Sequence, residues 1–152
     1  MYRTHSQEDT QDFGAALGAR LLPGDSLLIS GDLGAGKSVL ARGAARALGV
    51  EGPMPSPTFT LMQPYGNVVH FDLYRLSDED EFYAAGLDEF TGGGFIALIE
   101  WPFSGMDAVP RVEITMERGE AEDERVIRLA TFGMSGREAG IIEALRAWED
   151  AA

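Results

Sequence analysis

Residues 31–38 read Gly31-Asp32-Leu33-Gly34-Ala35-Gly36-Lys37-Ser38, in which Gly31 and Gly36 are separated by four free positions and followed by a lysine and a hydroxyl residue. This pattern restricts the fold more tightly than any composition could. Its glycines let the backbone turn sharply enough to aim successive N–H groups at one anion, and a helix starting there adds unpaired N–H groups and the positive end of its dipole. The pattern has this meaning only between a strand and a helix. Both flank it here: Leu27-Leu28-Ile29 is a short apolar run, and Val39, Leu40, Ala44, Ala47 and Leu48 recur at helical intervals. The expectation is a phosphate-binding loop at Asp32, Leu33, Gly34, Ala35, Gly36, Lys37 and Ser38. Lys37 would reach β and γ phosphates as a point charge and the Ser38 hydroxyl would be a ligand of Mg²⁺. Lys37 is the only lysine in the chain.

A length of 152 residues suggests one domain over 1–152, with a real hydrophobic core. No apolar stretch approaches the roughly 20 residues of a membrane span, and the N-terminus lacks a basic-then-apolar leader pattern. With no cysteine there is neither a disulfide frame nor a thiolate metal site, and the expected location is the cytoplasm. Twenty-five acidic against twelve basic residues give a net charge of −13, which opposes unaided attraction to nucleic-acid backbones. A nucleic acid would enter the function only through a partner.

In chain order, Ser6 with Asp9 three residues on resembles a helix N-cap, and Phe13, Ala16, Leu17 and Leu21 predict a helix from about 7 to 21, stopped at Pro23-Gly24-Asp25. Gly49 ends the helix that follows the phosphate loop. Pro53, Pro55 and Pro57 then impose an extended loop carrying Ser56, Thr58 and Thr60. Nucleotide hydrolases often keep a γ-phosphate-sensing switch at this place, and Thr58 or Thr60 could serve it; the same residues could equally satisfy turn backbone. Residues 59–65 and 68–72 predict a hairpin through Gly66-Asn67. Alternation places His70 and Asp72 on one face and Phe71 on the other. Asp72 could orient water or a Mg²⁺-bound water, or cap a turn beside Arg75, and His70 reads as a hydrogen-bonded structural residue. Ser77 with the acids 78–81 reads as a capped helix start.

Phe95-Ile96-Ala97-Leu98-Ile99-Glu100 is an apolar run ending in a carboxylate, as expected of a buried strand delivering an acid to the ligand edge of an open α/β sheet. Glu100 would then stand near Mg²⁺ bound at Ser38. Trp101 either joins the core or covers the site. Beyond Pro110, residues 112–116 and 126–129 predict a further hairpin, and Ile141, Ile142, Leu145 and Trp148 a closing helix. Arg118, Arg125 and Arg128 are either a phosphate clamp or surface charges, and the surface reading is preferred. The fold class is α/β of the phosphate-loop NTPase kind, in three layers, with a mixed, mostly parallel central sheet carrying antiparallel hairpins.

The phosphate loop, Ser56-Pro57-Thr58-Phe59-Thr60-Leu61, His70-Phe71-Asp72-Leu73-Tyr74-Arg75-Leu76 and Ile99-Glu100-Trp101-Pro102, in this order and spacing, resemble the TsaE (YjeE) family. The likeness runs to about residue 117, with Ser38 where the family usually has Thr. It implies a protein that binds and slowly hydrolyses ATP with Mg²⁺ and docks on the TsaB and TsaD proteins, which modify adenosine in tRNA with a threonylcarbamoyl group. It further implies Lys37 as the phosphate-binding lysine, Ser38 and Glu100 as Mg²⁺ ligands, Asp72 as the acid needed for hydrolysis and Trp101 as functionally important. No arginine is obviously placed as a finger. Two other readings share the loop: a small-molecule kinase, and an assembly module holding ATP as a structural ligand.

Overall fold

The computed structural model describes residues 1–54 and 61–150. Its frame is a seven-stranded sheet of β1 (Tyr2–Thr4), β2 (Ser26–Gly31), β3 (Met62–Tyr65), β4 (Val68–Asp72), β5 (Ile96–Glu100), β6 (Arg111–Arg118) and β7 (Arg125–Phe132). The strand order is β1-β7-β6-β2-β5-β4-β3. The four central strands β6, β2, β5 and β4 run parallel, and antiparallel pairing extends the sheet at both edges. Strands β2, β4 and β5 are buried along nearly their whole length because both their faces are covered, whereas β6 alternates buried and more exposed residues.

One face carries α1 (Gln7–Gly18), α2 (Lys37–Ala47) and the closing helix α4 (Glu138–Ala144). Phe13, Leu17, Leu40, Ile141 and Leu145 pack there against Leu27, Ile29, Leu98 and Ile114. The opposite face is covered by α3 (Glu79–Ala84) and a 3-10 turn at Leu87–Phe90. Phe82 and Leu87 there meet Leu28, Val69, Phe71 and Ile99. The strand alternation is thus as expected: Phe71 faces one core while Val68, two residues before His70, faces the other.

Helices α1 and α2 touch backbone to backbone. A Cβ built at Gly43 would collide with the carbonyl oxygen of Gln11, and one at Gly14 with that of Leu40. Glycine at both positions allows an approach that any side chain would prevent, and it seats α2, with Lys37 at its start, firmly on the sheet.

Several boundaries differ from the sequence reading. The first helix ends at Gly18, not Leu21, because Arg20 and Leu21 donate to the carbonyls of Leu17 and Gly18 in a tightened last turn; Leu21 still enters the core. The cap of α3 is Asp78 rather than Ser77: its carboxylate accepts the Glu81 N–H at 3.1 Å, while Glu81 accepts from the Ser77 N–H at 3.2 Å. The strand expected over 59–65 begins at Met62 among the described residues. Strand β1 has three residues, too few to show a period, and exists through its pairing with β7. The closing helix is split into α4 and a 3-10 turn at Arg146–Trp148.

Candidate nucleotide site

β2 ends at Gly31, whose φ of 151° and whose approach to the Met116 carbonyl both require glycine. Gly36, with φ 97°, is the N-cap of α2. The loop between them sits at the C-terminal edge of the parallel strands, where an open α/β sheet leaves a crevice for ligands. It borders a pocket of about 340 Å³. Leu33, Gly34, Gly36, Lys37 and Ser38 form one wall, and Asp72, Glu100 and Trp101 another. Gln7, Thr10, Val39, Asp123 and Arg125 also line the pocket. Asp32 and Leu33 are exposed, while Ala35 is buried.

Lys37 is buried at the start of α2. Its Nζ donates to the carbonyls of Gly31 and Asp32 at 2.7 and 2.6 Å and lies 4.0 Å from the centroid of the Trp101 ring. The ammonium is therefore held by its own loop and a π face. Burial pushes its pKa below the ordinary value of 10.5, outweighing the opposing attraction of Glu100, Asp32 and Asp72.

Glu100 closes β5, beside Asp72 on β4 and Ile29 on β2 in the strand register. Its two oxygens do different things. Oε1 accepts the Ser38 hydroxyl at 2.8 Å, and Oε2 meets His70 Nε2 at 2.5 Å. With a carboxylate as acceptor the imidazole proton sits on Nε2, and Nδ1 is buried with no partner among the described residues. The paired hydroxyl and carboxylate oxygens are a hard donor set, and they fit Mg²⁺, which takes one or two protein oxygens and completes its shell with phosphate and water. Asp72 is half-buried and accepts the Tyr74 N–H at 3.2 Å.

Trp101 covers the site rather than joining the core. It has φ 58°, a left-handed conformation that costs a non-glycine residue on the order of 1–3 kcal/mol. Its N–H donates to Ile29 at 3.1 Å, and its ring lies 4.7 Å from that of Tyr74. Strain at such a point is characteristic of functional sites.

The structure thus brings Lys37, Ser38, Asp72, Glu100 and Trp101 around one pocket. Thr58 and Thr60 lie outside the described residues. One site residue was missed, Arg125. His70, read as a hydrogen-bonded structural residue, is buried and bonded to Glu100; that partner lies 30 positions away with no sequence signal. Of the three arginines read as surface charges, Arg128 does pair with exposed Glu117 at 2.8 Å. Arg125 corrects that reading: it is buried, and its Nε donates to the Ala35 carbonyl at 2.9 Å. Arg118 is exposed, yet its guanidinium lies where a side chain at Gly34 would have to go.

Fold and site together define an α/β protein of the phosphate-loop kind. Residues 4–127 match the family described as threonylcarbamoyl adenosine biosynthesis protein TsaE. The tRNA threonylcarbamoyladenosine biosynthesis protein TsaE of Bacillus subtilis is 37% identical over 138 residues, covering 87% of this chain and 85% of its own. That of Rickettsia conorii is 31% identical, with 96% and 87% covered. The crystal structure of Bacillus subtilis YdiB superposes with a TM-score of 0.71 at 30% identity, over 96% of this chain and 93% of that one. The chain belongs to the TsaE family, and so to the threonylcarbamoyladenosine biosynthesis of tRNA. Among the described residues no helix is long and apolar enough to cross a membrane.

Proposed function

We propose that this chain binds Mg·ATP at the loop of residues 31–38, hydrolyses it slowly, and in doing so supports the TsaB and TsaD proteins in modifying tRNA. The observation that carries the reading is the contact of Ser38 with Glu100 at 2.8 Å beside the Lys37 ammonium. A hydroxyl, a carboxylate and a cation line one pocket, which supports binding of a metal-complexed triphosphate there.

In this reading Lys37 leaves the carbonyls of Gly31 and Asp32 for the β and γ phosphates, and its charge is then matched by phosphate oxygen. The loop N–H groups and the start of α2 hold the remaining oxygens. Ser38 and Glu100 would hold Mg²⁺, which when bound offsets phosphate charge. Asp72 orients the attacking water from the end of β4, and Trp101 excludes bulk water from the side of Lys37. Thr58 and Thr60 act as the switch segment that senses the γ phosphate. Intrinsic turnover is slow because, among the described residues, no arginine is placed as a finger on the γ phosphate, Arg125 being engaged by four backbone carbonyls; a partner that engages residues 53–60 or adds a cation would raise it, by up to about 10³–10⁵-fold in related chemistry. The net charge of −13 agrees with a protein that meets tRNA only through TsaB and TsaD. The site of action would be the cytoplasm.

Calorimetric titration with ATP, with and without Mg²⁺, tests the reading at its base. Saturable binding that tightens with Mg²⁺ is expected. No binding in either condition would contradict it. Binding without phosphate release, even with both partners, would favour ATP as a structural ligand, and transfer to a small molecule would favour a kinase.

A further inference from the structure

We propose that Arg125 is a positioning residue for phosphate binding, holding the loop of residues 31–38 in shape and tying it to the turn between β6 and β7. This inference rests on the nucleotide reading above and assigns a task to a residue outside the recognised motifs.

Arg125 is the first residue of β7 and is only 9% exposed. Its Nε donates to the Ala35 carbonyl at 2.9 Å and its Nη2 to that of Gly34 at 3.3 Å. On the other side Nη1 donates to the carbonyls of Glu122 and Glu124 at 2.8 and 2.9 Å. All four acceptors are backbone oxygens. A buried guanidinium ordinarily requires a carboxylate, and Glu122, Asp123 and Glu124 are adjacent in sequence. The nearest in chain, Glu124, is instead taken by Arg3 at 2.8 Å. Among the described residues no carboxylate forms an ion pair with Arg125, and the guanidinium lines the pocket, where the positive charge favours a bound anion.

The peptide geometry says what the contact does. Because a trans peptide is planar, its carbonyl and the next N–H point in opposite directions. Fixing the Ala35 carbonyl on Arg125 therefore fixes the Gly36 N–H facing away from it, and Gly36 is the N-cap of α2 immediately before Lys37. Only a planar fork reaches two carbonyls of the loop and two of the turn together; an ammonium is a point donor. Arg118, the register partner of Arg125 across the hairpin, packs its guanidinium against Gly34 and adds charge of the same sign to the loop's rim.

The test compares Arg125→Met and Arg125→Lys with Arg137→Met. Arg137 pairs with buried Asp25 beyond the opposite end of β2, so its removal disturbs stability without touching the loop. Affinity is measured calorimetrically for Mg·ATP and for inorganic tripolyphosphate, and turnover is measured at saturating ATP. Both affinities are expected to fall by the same factor, about tenfold or more, in Arg125→Met, as for other residues that orient a binding group. Arg125→Lys should recover only part of the loss, turnover at saturation should change little, and Arg137→Met should bind as the wild type does. Equal tripolyphosphate affinity in wild type and Arg125→Met would overturn the proposal, as would an equal loss in Arg137→Met. If Arg125→Met does not fold, full affinity in Arg125→Lys overturns it and weakened affinity supports it. Failure of the wild type to bind either ligand would instead overturn the nucleotide reading, and this inference with it.

Discussion

Lys37 directs its ammonium at two carbonyls of its own loop and at an indole face, an arrangement that keeps a costly charge buried at the pocket. Replacing it by an apolar side chain of similar length removes that cost. Lys37→Met should abolish measurable Mg·ATP binding in calorimetry while raising the unfolding temperature by about 2–4 °C, the shift that roughly 1 kcal/mol produces in a chain of this size. The pH dependence has a definite sign. The folded-state pKa of Lys37 lies below 10.5, so the unfolded chain binds more protons between the lowered value and 10.5. Stability from this group therefore rises with pH across that window, and the advantage of Lys37→Met should shrink as pH approaches 10.5.

His70 belongs to the same scale. By donating to Glu100 Oε2 it leaves Oε1 aimed at Ser38, so the carboxylate's orientation depends on both contacts. His70→Leu should raise the Mg²⁺ concentration that half-saturates ATP binding by about 10–100-fold, and His70→Gln, which keeps a donor of similar reach, should restore most of it. Lys37, Ser38 and Glu100 were legible in the sequence because the loop motif and the acid at a strand end carry their own context. The partners of His70 and Arg125 were not, because they lie on other strands and loops and neither contact leaves a local pattern.

At the level of elements, the seating of α1 on α2 controls the position of Lys37 and Ser38. Gly43→Ala forces a methyl group into the Gln11 carbonyl, and relief requires the two helices to separate. Overpacking of this kind costs about 1–3 kcal/mol. Thermal unfolding should record that loss, and calorimetry a parallel weakening of Mg·ATP, since α2 carries the site's two motif side chains. The central strands and α2 were legible from their periodicity. The helix end at Gly18 and the cap at Asp78 were not, because both depend on which of several eligible neighbours the backbone engages. Strand β1 is too short to have a periodicity, and only β7 makes it a strand.

At the level of the whole molecule, three parallel pairings in the middle of the sheet and antiparallel additions at each edge place Gly31, Asp72 and Glu100 together at the sheet's C-terminal edge. The sequence motif anticipates that convergence, since a phosphate loop needs a parallel sheet to stand on. The net charge of −13 opposes unaided attraction to a nucleic-acid backbone. The proposed slow, partner-controlled ATPase is tested by phosphate release from Mg·ATP by the purified protein, alone and with TsaB and TsaD, with Lys37→Met as the blank. Slow release alone, a marked rise with both partners present, and none from Lys37→Met are expected. Release that is unchanged by the partners, or that persists in Lys37→Met, would contradict it.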